Sequence, residues 1–229
     1  MQGETQTTGM TRTVGDSPLP RVTQINSALW IIVAVTLCSY CITWVNQHIV
    51  IPLTPHLIDG TLMRLDHGVG VGIWHFALAH SWFNISFLAI YFSLWLVIPV
   101  AIIIRPGMIV PLTLADLLCV PFYLLFPAVG PAHINEALAP RNCMPSMHVC
   151  LALLMWVNTR HSKAHTAFGI YAALTVVSTL TTGEHYLPDL VAAVPFALLV
   201  NWLAKKMNLA EKVESVLQTT HPVETHRLK

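Results

Sequence analysis

The stretch WFNISFLAIYFSLWLVIPVAIIIRP, residues 82–106, decides the fold class. From Trp82 to Ile104 it holds no Asp, Glu, Lys or Arg, and it stops at Arg105-Pro106. A helix that crosses a bilayer needs roughly 20 mostly apolar residues, and this run supplies them without interruption. Similar runs lie on either side. The pattern predicts further spans at about 28–50, 108–126, 147–157, 166–180 and 190–203.

Composition agrees. Charged residues make up 10% of the 229-residue chain and hydrophobic ones 55%, whereas a soluble domain carries about 25% charge. These values exclude a disordered chain, a coiled coil and most soluble folds. Net charge is +1 with His neutral, so the chain has no electrostatic bias toward nucleic acid. The expectation is an all-α polytopic membrane protein, a six-helix transmembrane bundle with interfacial helices. Its catalytic domain covers 28–205, between a flexible cytoplasmic tail at 1–27 and a cytoplasmic C-terminal tail at 206–229. Residues 1–27 are polar and lack the apolar core of a cleavable signal peptide.

Residues 52–80 mix prolines, glycines, charges and histidines with Leu and Trp, and read as an interfacial or partly re-entrant segment with Trp74 and Trp82 at headgroup level. Given six spans, Arg12, Arg21, Arg105, Arg160, Lys163, Lys205, Lys206, Lys212, Arg227 and Lys229 share the side of the N-terminus, and only Arg64 and Arg141 fall opposite. The positive-inside rule then puts both termini in the cytoplasm. Loops 51–81, 127–147 and 181–189 face the periplasm, lumen or exterior.

Two of these outer loops carry the candidate chemistry: Cys143-Met144-Pro145-Ser146-Met147-His148, and the run Ser178 to Asp189 with Gly183, Glu184, His185, Tyr186 and Pro188. If the last span starts near Glu184, His185 and Asp189 lie four residues apart on one helical face. A carboxylate beside an imidazole fixes its tautomer and makes the opposite nitrogen more basic. His148 supplies a second imidazole on the same face. Two histidines of different protonation suit phosphoryl transfer, one attacking phosphorus and the other protonating the leaving oxygen. Taken singly, each residue has a plainer reading: an interfacial His, or a first-turn Asp favoured by the helix dipole.

Pro145-Ser146-Met147-His148 resembles the Pro-Ser-Gly-His motif of the phosphatidic acid phosphatase type 2 superfamily, and Ser178 to Asp189 resembles its Ser-Arg-x5-His-x3-Asp motif. The wording is closest to the branch of inositol phosphorylceramide and sphingomyelin synthases, and the likeness covers roughly 82–205. The resemblance implies that His185 forms a phosphohistidine, Asp189 orients it, His148 protonates the leaving group, and no metal or other cofactor takes part. The family's Lys-x6-Arg-Pro motif has no counterpart, because position 98 is Ile and Arg105 sits on the cytoplasmic side as a stop-transfer charge; the Arg of the third motif is Thr179. Arg141 is therefore the candidate phosphate ligand, with Ser146 and its backbone N–H groups and His133 as further donors.

The function this implies is a lipid phosphatase or phosphotransferase acting on a lipid phosphate ester, with water or a lipid alcohol as acceptor. Phospholipid or sphingolipid metabolism is the setting, with an inositol phosphorylceramide synthase-like headgroup transferase as the variant. A non-enzymatic lipid carrier, channel subunit or scaffold is the rival; it predicts that His148, His185 and Asp189 need not cluster, and imidazole centres more than about a dozen ångströms apart would support it. An intramembrane serine protease built on Ser146 lacks an oxyanion-loop motif. Asp116, in the middle of a span, marks function by default but lies far in depth from the histidines. Glu184 reads as a solvated turn. The five cysteines suggest neither a disulfide framework nor a metal site.

Overall fold

A computed structural model describes residues 30, 33, 37, 38, 40–136 and 138–207. Most of the two expected tails, and the start of the first expected span, lie outside these residues. Every element described is helical. Residues 40–45 are helical and run into a π-helical stretch, Asn46–Val50, and a short turn, Ile51–Leu53. Seven α-helices follow: α1 (Asp59–Asp66), α2 (Val69–Ala79), α3 (Ser81–Ile104), α4 (Ile109–Leu125), α5 (Met147–Asn158), α6 (His165–Thr181) and α7 (Leu187–Lys206).

Among the described residues, three stretches are long and apolar enough to cross a membrane: α3, α7, and the run Pro106–Leu125 that contains α4. They coincide with the second, sixth and third expected spans. The fourth and fifth expected spans, 147–157 and 166–180, return as helices whose ends fall within a residue of those bounds, but both are short for a membrane crossing. At 12 residues α5 is about 18 Å long, well under the roughly 30 Å of a hydrocarbon core. Its neighbours explain how a short helix is stable there. It packs against α6, α7, α4 and α3 and buries Val149, Cys150, Leu151, Ala152, Leu154 and Met155. This apolar helix faces protein rather than lipid around most of its circumference. The 17-residue α6 completes the packing against α5, α3 and α2.

The core has one large cluster and a smaller one, Leu62, Ala128, Cys143 and Tyr186, near the loops. The large cluster joins Leu94, Ile98 and Ile102 of α3, Leu112 and Cys119 of α4, Leu154 and Met155 of α5, and Phe196 and Val200 of α7. The lipid-type faces stay outward: Trp82, Leu96, Leu117, Val191 and Trp202 are all exposed. Prolines sit inside three helices, at Pro99, Pro121 and Pro195, a frequency typical of membrane helices, whose neighbours re-satisfy freed backbone groups.

The interfacial segment forms α1 and α2, joined by left-handed backbone at His67 and Gly68. Trp82 is exposed as expected. Trp74 is not simply at a surface: its indole packs so closely on Gly183 that a Cβ there would meet Trp74 Nε1 at 2.8 Å. Two buried carboxylates fasten α1 to the loops at the same end of the bundle. Asp59 accepts the Val129 and Gly130 N–H groups, and Asp66 accepts the Leu187 and Gly70 N–H groups.

Candidate functional site

The loops before α5 and α7 meet through backbone hydrogen bonds. Ser146 N–H donates to the Asp189 carbonyl at 3.2 Å, and Ala132 N–H donates to the Gly183 carbonyl at 2.9 Å. Gly130, at φ +86°, makes that contact possible, since a Cβ there would lie 2.3 Å from the Glu184 carbonyl oxygen. The Met144-Pro145 peptide is cis and leads directly into α5. His148 falls in the first turn of α5, and His185 falls two residues before α7.

These placements bring three of the candidate residues together. The His148 and His185 ring centroids are 6.4 Å apart at an interplanar angle of 64°. His185 Nδ1 lies 3.7 Å from Asp189 Oδ2. The route differs from the one the sequence suggested. The last helix starts at Leu187, so His185 is not on its face; the turn folds His185 back over the first turn of α7. Asp189 also does what its plainer reading required: its Oδ2 accepts the Tyr186 N–H at 2.8 Å and so caps the helix. One carboxylate oxygen thus serves the helix start and faces the imidazole.

Two residues that sequence reasoning passed over complete this cluster. The Cys143 thiol donates to Asp189 Oδ2 at 2.6 Å and is buried, although Cys143 reads as a residue of a polar loop. Tyr91 of α3 stacks on His148, with centroids 3.8 Å apart and rings within 20° of parallel. No local sequence signal marks Tyr91, because the contact joins positions 57 residues apart.

Four buried polar atoms have no hydrogen-bond partner among the described residues and lie in this cluster: Ser146 Oγ, His148 Nε2, His185 Nδ1 and Asp189 Oδ1. Groups of this kind are uncommon in folded proteins and concentrate where a ligand binds or chemistry occurs. Cys143, His185 and Asp189 also bring ligand-type atoms within 4.8 Å of one another. The thiol, however, keeps its proton. Burial first, and then the Asp189 carboxylate, push the Cys143 thiol well above the ordinary range. A protonated thiol is a hydrogen-bond donor rather than a thiolate ligand.

The expected phosphate donors divide. Ser146 is fully buried beside the histidines. Arg141 is buried too: its N–H is held by Asn46 Oδ1 at 2.8 Å, and its Nη1 donates to the Ala139 carbonyl at 2.8 Å. Its neighbour Asn142, rather than Arg141, lines the cavity beneath the histidines. His133 lies in the turn Pro131–His133, with Nε2 2.9 Å from Glu184 Oε1 and Nδ1 3.2 Å from Glu136 Oε2. Burial favours neutral His133, but the two carboxylates outweigh it and raise its pKa above 6.5. Glu184 is therefore not a solvated turn residue; it is half-buried, pairs with His133 and lines the cavity. Arg105, set aside as a phosphate ligand, bonds the Asn158 carbonyl at the opposite end of α5 from His148.

A second layer holds the turn of His185 in place. Asp59 Oδ1 accepts the Tyr186 hydroxyl at 3.2 Å in addition to its two backbone donors. Burial pushes the Asp59 carboxyl up, against the pull of those donors. Asp59 and Asp66 are seven residues apart, two turns on one face of α1 with buried Leu62 between them, a spacing visible in the sequence.

Below the histidines a cavity of about 320 Å³ opens between the first helical run, α3, α4 and α5. His148, His185 and Glu184 line one end of it, and its walls include Leu94, Ile98, Ile102, Leu112 and Leu151. This is within the size range of small-molecule sites, with polar groups gathered at one end of an apolar space.

Residues 132–203 match the family model of the PAP2 superfamily. The matched stretch contains His133, Arg141, Ser146, His148, His185 and Asp189, and it supports a phosphatase-type membrane enzyme. No curated protein and no solved structure matches the chain.

Proposed function

We propose that this chain is an integral membrane enzyme that cleaves or transfers a lipid phosphate ester through a phosphohistidine at His185. The observation that carries the reading is the His148–His185 pair, 6.4 Å apart, at the polar end of an apolar cavity, with Asp189 behind His185. That spacing is close enough for positioned proton transfer, directly or through a water, and so lends the carrier or scaffold reading no support. The bundle crosses the membrane six times, with both termini cytoplasmic and the site on the extracytoplasmic face.

Because His185 Nδ1 faces Asp189, Nε2 is the nitrogen free to attack. Nε2 forms a bond to phosphorus as the bond to the leaving oxygen breaks, and His148, once it carries a proton, gives it to that oxygen. Asp189 stabilises the positive phosphoimidazole and holds its tautomer. In the second half, neutral His148 takes a proton from water or from a lipid hydroxyl. That oxygen bonds to phosphorus and the P–N bond breaks, restoring both histidines. Ser146, buried beside the histidines, supplies a donor to the phosphate oxygens. The scheme calls on no metal ion.

The acceptor decides between phosphatase and transferase. The cavity favours including a second lipid, because an apolar space next to the reacting groups offers room for the chain of an acceptor alcohol. The test is phosphate release from phosphatidic acid by purified protein in mixed micelles, repeated with diacylglycerol or ceramide as acceptor and phosphatidylinositol as donor. Radiolabel from the substrate is expected on the protein in an acid-labile, base-stable form. Normal turnover by a His185→Ala protein overturns the mechanism.

A further inference from the structure

The cavity below the histidines does not end in hydrocarbon. It extends along α3 from Tyr91 to Ile102, eleven residues or about 16 Å, between apolar walls. Asp116 of α4 opens into it, nine residues or about 14 Å from the loop-side end of that helix. The carboxylate has only a weak partner among the described residues: Oδ2 meets the Cys38 thiol at 3.7 Å. The Cys119 thiol, one turn further along α4, is turned away to the Asp116 carbonyl. The scheme at His185 makes no use of Asp116.

A carboxyl in such a place is costly unless a donor meets it. A saturated chain filling the cavity would strip the carboxyl of any alternative partner, whereas a chain carrying a hydroxyl at the right depth would donate to it. We infer that the cavity is a chain-binding chamber in which Asp116 selects lipids bearing a hydroxyl within the chain, at the depth of Asp116 below the histidines. This deepens the function proposed above and rests on it in one respect, the placing of the phosphate at the histidine pair.

Binding of non-hydrolysable phosphonates to the full-length protein in detergent tests this. The probes are hexadecylphosphonate and a series of the same compound with one secondary hydroxyl moved along the chain, and the readout is affinity by calorimetry. One hydroxyl position is expected to bind about tenfold or more tighter than the plain chain, because the plain chain offers the carboxylate no donor. Asp116→Leu is expected to bring that ratio to about one by strengthening plain-chain binding and weakening hydroxylated binding, and Asp116→Asn to retain most of it. The Asn variant decides the matter if the Leu variant fails to fold. Equal affinity across the series in the wild-type protein, or an unchanged ratio in Asp116→Leu, overturns the inference. His185→Ala separates the two proposals: it is expected to keep the wild-type ratio while losing turnover. A preserved ratio alongside normal turnover in His185→Ala sinks the phosphohistidine and leaves the chamber standing.

Discussion

Replacing Asp189 with Asn tests the proposed chemistry at its most exposed point. The change keeps the shape of the side chain and removes its charge. In the phosphohistidine the imidazole carries a positive charge, and Asp189 Oδ2 stands 3.7 Å from Nδ1. At an effective dielectric constant of about 20, opposite unit charges at that distance attract by about 4 kcal/mol. Losing that attraction corresponds to roughly a thousandfold in rate. The amide oxygen can still accept the Tyr186 N–H, but the charge-assisted part of that bond and of the Cys143 contact goes, so stability falls by about 1–2 kcal/mol. The assay compares kcat for phosphate release, acid-labile labelling of the protein and thermal unfolding in the same detergent. If Asp189→Asn folds and retains more than about a tenth of wild-type kcat, Asp189 is a helix cap and nothing more.

Other substitutions probe the surroundings of that pair. Tyr91→Phe keeps the ring on His148 and is expected to leave kcat near wild type, while Tyr91→Ala is expected to lower it by up to about tenfold, a difference read in the same phosphate-release assay. Gly130→Ala puts a Cβ 2.3 Å from the Glu184 carbonyl at a backbone angle glycine tolerates best; a drop in melting temperature together with loss of activity is expected. Against the opposing pull of burial, Glu184 and Glu136 raise the His133 pKa, so its contribution to stability is complete below pH 6.5 and is lost as pH rises through its raised value. The melting-temperature gap between wild type and His133→Gln is therefore expected to be widest near pH 6 and to close on the alkaline side.

Much of this arrangement can be read from residue patterns. Uninterrupted apolar runs give α3, α4 and α7, because chain length against bilayer thickness is a one-dimensional criterion. The pairing of His185 with Asp189 follows from a four-residue spacing, and the meeting of His148 with them was expected from charge sorting between loops. The limits of α5 are legible to within a residue, but its surroundings are not. Hydropathy does not distinguish a short helix buried among four others from a lipid-facing span. Tyr91, Cys143 and Asp59 were missed for a different reason. Each acts through a contact between distant positions, and an aromatic in a span, a Cys in a loop and an Asp at a helix start all have commonplace local explanations. Glu184 was misjudged because its partner His133 lies 51 residues away.

The two aspartates of α1 have a consequence for where the working unit begins. The stretch that matches the PAP2 model starts at residue 132 and contains both histidines, yet the acceptors that fasten its catalytic turn come from 59 and 66. A protein trimmed to begin after Ala79 would strand the N–H groups of Val129, Gly130 and Leu187 and the phenol of Tyr186, at about 1–3 kcal/mol for each donor left buried. The smallest unit expected to hold the candidate site together thus extends well upstream of its recognisable motifs, and the helical hairpin ahead of α3 is a structural part of that site rather than an appendage to it.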